Sequence, residues 1–372
     1  MAGYYRIALA ITTGCLMFQA AGFAQVPSMP PKPEVKDDGT IVVPSFELPF
    51  SSFASSEAAA EFVRRVRTPM PMVPDLKKMR QYVDEGARKI IAQDARLFPY
   101  SSTKAMMGGV PVESFVPTAG IAPENKNRVL INVHGGAFIA GGGGPGGAIE
   151  SIPIAGVGRI RVVSVDYRLG PENKFPAASE DLASVYRELL KTYRPENIGI
   201  YGCSAGGALA AQAIPWFLKE KLPLPGALGI FCASTHKFGG GDSYQIWPRL
   251  GSVIPIVPSA KFSDERFDGP DAGYFGAATP RDPLAVPSAS KDVLKAFPST
   301  LFLTGTRAPD MSSAVESHME LVELGVDSQL LLFDGMDHGF FSDPNMPEST
   351  RAYRLITHFF STHLGVTKPR KP

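Results

Sequence analysis

A serine, a histidine and an aspartate stand out in this chain, each placed where an apolar, strand-like run stops. Ser204 lies in Ile198-Gly199-Ile200-Tyr201-Gly202-Cys203-Ser204-Ala205-Gly206-Gly207, an apolar run followed by Gly-x-Ser-x-Gly and then the helix formers Ala208-Leu209-Ala210-Ala211. A turn this tight needs small residues, because side chains at Gly202 or Gly206 would run into neighbouring strands. It also lifts the hydroxyl to a helix N-terminus, where backbone N–H groups favour negative charge. A serine hydroxyl is a poor nucleophile until a base within hydrogen-bond reach takes its proton. His338 fits that role: it sits in Gly335-Met336-Asp337-His338-Gly339-Phe340-Phe341, just after the last apolar run, and follows the serine in the chain.

The histidine needs a carboxylate behind it, which fixes the imidazole tautomer and stabilises the imidazolium that forms. After the apolar run ending at Leu303 comes Gly305-Thr306-Arg307-Ala308-Pro309-Asp310, in which Asp310 is the only carboxylate. Glu316 falls inside the following helix, and Asp334 and Asp337 lie too near His338 along the chain to reach behind it easily. Attack on a carbonyl also calls for converging N–H donors to hold the developing negative charge. Val133-His134-Gly135-Gly136-Ala137-Phe138 follows another apolar run, and its paired glycines allow such convergence. Gly135 and Gly136 are therefore expected as oxyanion donors, together with Ala205, the residue after the serine.

His134 reads as a structural hydrogen-bonding residue. Gly141 to Gly144 lacks the Gly-Lys-Ser/Thr of a phosphate loop and reads as a flexible loop near the pocket. His236, His318, His358 and His363 have no partner at ligand spacing, so no metal site is expected.

Positioning these groups requires a particular scaffold. Apolar runs at 128–133, 161–165, 198–201, 228–232, 300–303 and 329–333 are interspersed with helical stretches at 177–193, 206–221, 311–325 and 350–364. Runs that are continuously apolar, not alternating, describe strands buried on both faces, so a mostly parallel sheet flanked by helices is expected. Helical spacing also runs from Glu57 to Arg67 and from Leu76 to Leu97, with Pro69, Pro71 and Pro74 between them. These helices precede the catalytic motifs and are candidates for part of a cap, within about residues 51–100. Residues 237–290 interrupt the rhythm with Gly, Pro and aromatics such as Tyr244, Trp247, Phe262 and Tyr274. That segment suits a lid or pocket wall, and equally a plain packed connection. No internal repeat is visible.

Taken together, these motifs resemble the hormone-sensitive-lipase-like family of bacterial esterases. The resemblance is carried by His134-Gly135-Gly136, by Ser204 in Gly-x-Ser-Ala-Gly-Gly and by His338 in His-Gly-Phe. It also rests on Asp166-Tyr167-Arg168-Leu169-Gly170-Pro171-Glu172 with the succeeding Phe175-Pro176-Ala177-Ala178. It covers roughly residues 125–362 and implies an α/β-hydrolase fold, a cap partly from N-terminal helices, no cofactor, and activity on short- to medium-chain acyl esters. The sequence departs from the family pattern twice. Cys203 precedes the serine where Asp is commonest, and the family's usual acid would fall near Ala308, two residues before Asp310.

Composition agrees with an enzyme of small molecules. The 372 residues are 44% apolar and 20% charged with a net charge of +1. The only basic block is Lys368-Pro369-Arg370-Lys371, which argues against nucleic acid or an anionic membrane as main partner.

At the N-terminus, Arg6, an apolar stretch from Ile7 to Phe18 and the small residues around Gly22-Phe23-Ala24 match a signal peptide cleaved after Ala24. The stretch is too short for a comfortable membrane span, so a periplasmic or secreted protein without stable membrane insertion is expected. Residues 25–50 are then a proline-rich leader and 51–366 the catalytic domain. Cleavage would remove Cys15 and leave Cys203 and Cys232, read as structural free thiols. The sequence fixes neither the oligomeric state nor the alcohol of the substrate. A non-catalytic receptor on the same fold, a peptidase and a surface-binding protein are the competing readings. The first two lack support in a chain that keeps its serine and histidine and has no room for a peptidase's extra domain. The third leaves the ordered motifs unexplained.

Overall fold

The computed structural model describes residues 32–68, 75–251, 266–267 and 272–366. The expected signal peptide and the start of the leader lie outside them, as do residues 252–265 and 268–271 of the insertion. The chain divides into two units, Met1–Pro49 and Phe50–Pro372. In the first, Glu34–Val35 (β1) pairs antiparallel with Ile41–Val42 (β2), so part of the leader is a small exposed hairpin.

The second unit opens with two helices, Ser56–Arg67 (α1) and Leu76–Leu97 (α2). The side chains of Ser55 and Asp75 accept the N–H groups of Ala58 and Lys78 and so satisfy donors that the first turns leave free. Tyr100–Met107 (β3) and Val110–Pro117 (β4) form a hairpin closed by Gly108 and Gly109, at φ 58° and 81°, as the tightest two-residue turns require. The alternation of strand and helix then begins. Val129–Val133 (β5), Pro145–Gly158 (α3), Arg161–Val165 (β6) and Ala177–Leu189 (α4) lead to Ile198–Cys203 (β7), Ala205–Lys219 (α5) and Ala227–Phe231 (β8). Three short helices follow: Gly241–Ile246 (α6), Ala272–Phe275 (α7) and Lys291–Lys295 (α8). Ser299–Gly305 (β9), Met311–Glu323 (α9), Ser328–Phe333 (β10) and Pro347–His363 (α10) complete the unit.

Eight strands form one sheet in the order β10-β9-β8-β7-β5-β6-β4-β3. The six from β5 to β10 pair in parallel, and β4 and β3 run antiparallel at one end. Every residue of β5, β7, β8 and β9 is buried, as continuous apolar runs demand of strands covered on both faces. One face packs against Leu182 of α4, Leu209 and Phe217 of α5 and Leu321 of α9. The other packs against Ile152 of α3 and Ile356 and Phe360 of α10, with α2 lying on α3. The expected architecture, a mostly parallel sheet between helical layers, is what the chain adopts.

From β5 the chain crosses through α3 to β6 on one side, whereas from β7 it crosses through α5 to β8 on the other. The connections diverge between β5 and β7. In open α/β sheets, ligands bind beyond the strand carboxyl ends at such a switch point.

Candidate active site

At that switch point the backbone of the β7–α5 turn is forced. Ser204 has φ 59° and ψ −123°, a conformation that non-glycine residues rarely adopt. Neighbouring backbone leaves no alternative. A Cβ on Gly202 would stand 2.0 Å from Val133 O, and one on Gly206 would stand 1.9 Å from the same oxygen. The turn therefore presses directly on the end of β5. Ser204 N–H donates to Phe231 O at 2.8 Å, which ties the turn to β8 as well. The serine is half-buried at the first turn of a helix whose leading N–H groups have no intrahelical partner.

His338 comes from the loop after β10 and Asp310 from the turn after β9. Asp310 Oδ1 lies 2.6 Å from His338 Nδ1, and the carboxylate is completely buried. Its second oxygen accepts Thr304 Oγ1–H at 2.5 Å, so both oxygens are engaged. Burial on its own would lower the histidine pKa, but the Asp310 hydrogen bond and charge outweigh it and raise the imidazolium to about 9. Asp337 does not stand behind the ring: it accepts His338 N–H at 2.7 Å and Trp247 Nε1–H at 3.1 Å. Glu316 instead lines a cavity beside α9, and Asp334 accepts Thr306 Oγ1–H at 3.1 Å. The histidine loop reaches the serine turn through two cysteines. Gly339 N–H donates to Cys232 Sγ at 3.2 Å, and a Cβ on Gly339 would stand 3.9 Å from Cys203 Sγ. Cys203 and Cys232 are buried free thiols. A hydrogen bond to Cys232 and burial push the Cys203 thiol well up, so it offers no thiolate beside the serine.

The glycine loop after β5 corrects one expectation. Gly135 N–H is not free for a substrate: it donates to Glu150 Oε1 at 2.8 Å. An N–H has one hydrogen to give, and here a carboxylate already takes it. The backbone N–H groups of Gly136, Ala137 and Ala205 have no acceptor among the described residues. Gly136 (φ 120°) and Ala137 (φ 52°) are both turned out of ordinary backbone conformations. Spacing alone could not distinguish these N–H groups, because the signal lies in Glu150, fifteen residues downstream on a helix without clear amphipathic spacing. His134 is buried, stacks on Tyr167 at 4.3 Å and donates from Nδ1 to Gly135 O at 2.7 Å. Burial lowers its pKa and keeps the ring neutral, as suits a structural residue.

Two cavities open elsewhere on the described surface, and neither is lined by Ser204, His338 or Asp310. The first, of about 360 Å³, lies between Gly141, Gly142 and Gly143 on one side and Arg80, Asp84 and Asp166 on the others. Gly143 N–H donates to Asp166 Oδ1 at 2.8 Å, so the loop expected to be flexible is anchored. Arg80 of α2 holds the rim, donating to Ile139 O, Gly170 O and both oxygens of Glu172 at 2.6–2.8 Å. The second cavity, of about 690 Å³, is bounded by Gly239 to Gly241, Arg281 and Val286 from the insertion and by Ser312 of α9. Phe238 from the same segment meets the His338 ring edge-to-face at 5.8 Å. Among the described residues no His/Cys/Asp/Glu cluster suits a metal ion, and no helix is long and apolar enough to cross a membrane.

Comparison with known proteins fits this geometry. Residues 130–342 match the family described as alpha/beta hydrolase fold. The chain is 29% identical to the versiconal hemiacetal acetate esterase of Dothistroma septosporum, over 59% of this chain and 69% of that one. It is 23% identical to an acetyl-hydrolase of Streptomyces hygroscopicus, over 78% of this chain and 98% of the other. Among solved structures, esterase E25 superposes with a TM-score of 0.74 at 29% identity, covering 87% of this chain and 98% of its own. The chain belongs to the α/β-hydrolase-fold family, and the members it resembles are ester-hydrolysing enzymes, hormone-sensitive-lipase-like esterases among them.

Proposed function

We propose that this protein hydrolyses carboxylic esters of short to medium acyl chains, with Ser204 as nucleophile, His338 as general base and Asp310 as the carboxylate that orients it. The observation that carries this reading is the 2.6 Å Asp310–His338 hydrogen bond on the loop packed beside the strained Ser204 turn. Ser204 Oγ attacks the ester carbonyl carbon while His338 Nε2 takes its proton. Negative charge gathers on the carbonyl oxygen, which the N–H groups of Gly136, Ala137 and Ala205, left without an acceptor among the described residues, would receive. Collapse breaks the bond to the alkoxide, which leaves as the alcohol with the proton from His338. A water molecule then repeats the sequence on the acyl-serine and releases the acid. Two of the similar proteins bear names of acetyl-ester chemistry, which supports the short end of this range.

Hydrolysis of p-nitrophenyl esters of increasing chain length by wild-type protein and by Ser204→Ala tests this reading. The variant should lose roughly four orders of magnitude or more in kcat while keeping the wild-type melting curve. Near wild-type turnover by Ser204→Ala would end the proposal.

We also propose that the protein is exported. Its sequence-based support is the charged, apolar and small-residue pattern of residues 1–24, so protein recovered from its native compartment should begin at Gln25 by mass spectrometry. A retained Met1 in cytoplasmic protein would refute export.

A further inference from the structure

We propose that Glu150 is a positioning residue whose carboxylate staples the two halves of the oxyanion pocket to each other. The inference rests on the pocket assigned above, whose N–H donors come from two separate segments: Gly136 and Ala137 after β5, and Ala205 after β7. Such donors stabilise charge only if their relative placement is fixed to about 0.5 Å. The ladder between β5 and β7 cannot fix it, because its last pair is Asn132 with Tyr201, short of the donors on both strands. Beyond that point Glu150 takes over. Oε1 accepts Gly135 N–H at 2.8 Å, while Oε2 accepts Cys203 N–H at 3.2 Å and Asn132 Nδ2–H at 2.9 Å. Gly135 immediately precedes the donors of one segment, and Cys203 stands two residues before the donor of the other.

The carboxylate is itself aimed. Glu150 lies on α3, and its carbonyl accepts Tyr201 O–H at 3.0 Å from β7. Ser164 of β6 donates to Asn132 Oδ1 at 3.0 Å, which turns the Asn132 amide nitrogen toward Glu150. One turn earlier, a Cβ on Gly147 would stand 1.9 Å from Ser164 Oγ, so only a glycine there lets α3 lie this close to β6. The segments touch where the staple closes: a Cβ on Gly135 would meet Cys203 O at 2.8 Å and Ser204 Cβ at 3.4 Å.

All three partners of the carboxylate are donors, which suits the ionised form and leaves a carboxylic proton no acceptor among them. The residue retains some solvent exposure, but desolvation of its carboxylate outweighs these three donors and raises it to about 7. The titratable groups around it are Tyr167 beyond β6 and Tyr201 and Cys203 on β7. Burial raises both tyrosines, and the bond to Cys232 with burial raises Cys203, so all three are neutral near pH 7. The staple therefore loosens as pH falls through about 7, independently of the protonation of His338.

Glu150→Gln tests the proposal. Its amide keeps the volume but sets an NH₂ against one of the N–H donors. The expected result is a fall of about 10- to 100-fold in kcat with KM changed less than about threefold, because pocket geometry and not substrate binding is disturbed. In wild-type protein, log kcat/KM should climb with a slope near one toward about pH 9 as His338 loses its proton, with an added step of about 10- to 100-fold across about pH 7 as Glu150 loses its own, so the profile is steeper around pH 7 than on either side of it. Glu150→Gln should climb with a slope near one throughout. The wild-type profile needs no variant, so it decides the matter even if Glu150→Gln fails to fold. A single slope in wild-type protein, or a folded Glu150→Gln with unchanged kcat, overturns the staple while leaving the esterase reading intact. Wild-type protein inactive on every ester, or an active Ser204→Ala, overturns the esterase reading instead.

Discussion

At the ends of β5 and β7 the site is built from backbone. Gly202 and Gly206 press on Val133 O, Ser204 is held at positive φ, and the oxyanion donors proposed above are main-chain N–H groups. At the ends of β9 and β10 it is built from side chains. Asp310 is held by Thr304, His338 by Asp310, and Asp337 by the Trp247 indole from the insertion. The first half has no slack and, apart from Glu150, little to titrate. The second is a chain of hydrogen bonds whose strength depends on charge. Damage to the backbone half should therefore act through shape at every pH, whereas damage to the side-chain half should shift the pH dependence of catalysis.

Of the changes that tell the two halves apart, Asp310→Asn has the largest expected effect. It should lower kcat by about three to four orders of magnitude through the wrong imidazole tautomer. It should also move the acid limb: with the Asp310 hydrogen bond and charge gone, burial dominates and the imidazole loses its proton well below its present value of about 9. The same pair links to stability. Because the folded pKa lies above the ordinary value of about 6.5, its stabilisation is complete below that pH and is lost as pH rises through about 9. An Asp310→Asn profile with an unmoved limb would break the comparison.

Gly206→Ala comes next. Its methyl has nowhere to go against Val133 O, and a displacement of about 1 Å costs roughly 100-fold in rate. The loss should be the same at all pH values, and a pH-dependent loss would show that the backbone half is not independent.

The smallest effect is expected from Thr304→Val, which removes the hydrogen bond to Asp310 Oδ2 and leaves Oδ1 in place. A fall of about tenfold in kcat is expected, since removing the partner of a buried, charged acceptor costs on the order of 1–3 kcal/mol and only part of that reaches the transition state. Wild-type kcat in Thr304→Val would show that Asp310 needs no second anchor.

Much of this organisation was legible in the chain, for physical reasons that also explain what was not. The parallel strands were visible because burial on both faces forces unbroken apolar runs. The serine turn was visible because steric crowding excludes every side chain but the smallest. The edge hairpin of β3 and β4 was not, since Tyr100-Ser101-Ser102-Thr103-Lys104 faces solvent and carries little apolar signal. Helix α3 escaped notice because Gly146, Gly147 and Pro153 obscure its helical character, and it is buried too evenly to show a polar face. Glu150 went with it, and so did the reason Gly135 cannot serve as an oxyanion donor. A peptide N–H looks the same in sequence whether it faces a substrate or a carboxylate, and only the third dimension tells them apart.

The buried thiols have a consequence for labelling. Cys203 is 7% exposed and Cys232 is fully enclosed, and with its pKa pushed up Cys203 stays in the unreactive protonated form. Alkylating reagents reach neither sulfur until β7 and β8 come apart, whereas a phosphonate directed at the proposed nucleophile Ser204 meets a residue that is only half-buried in the folded protein. The two chemistries then report different things about one molecule. Phosphonate uptake counts the assembled sites, and alkylation of Cys203 and Cys232 keeps time on global unfolding.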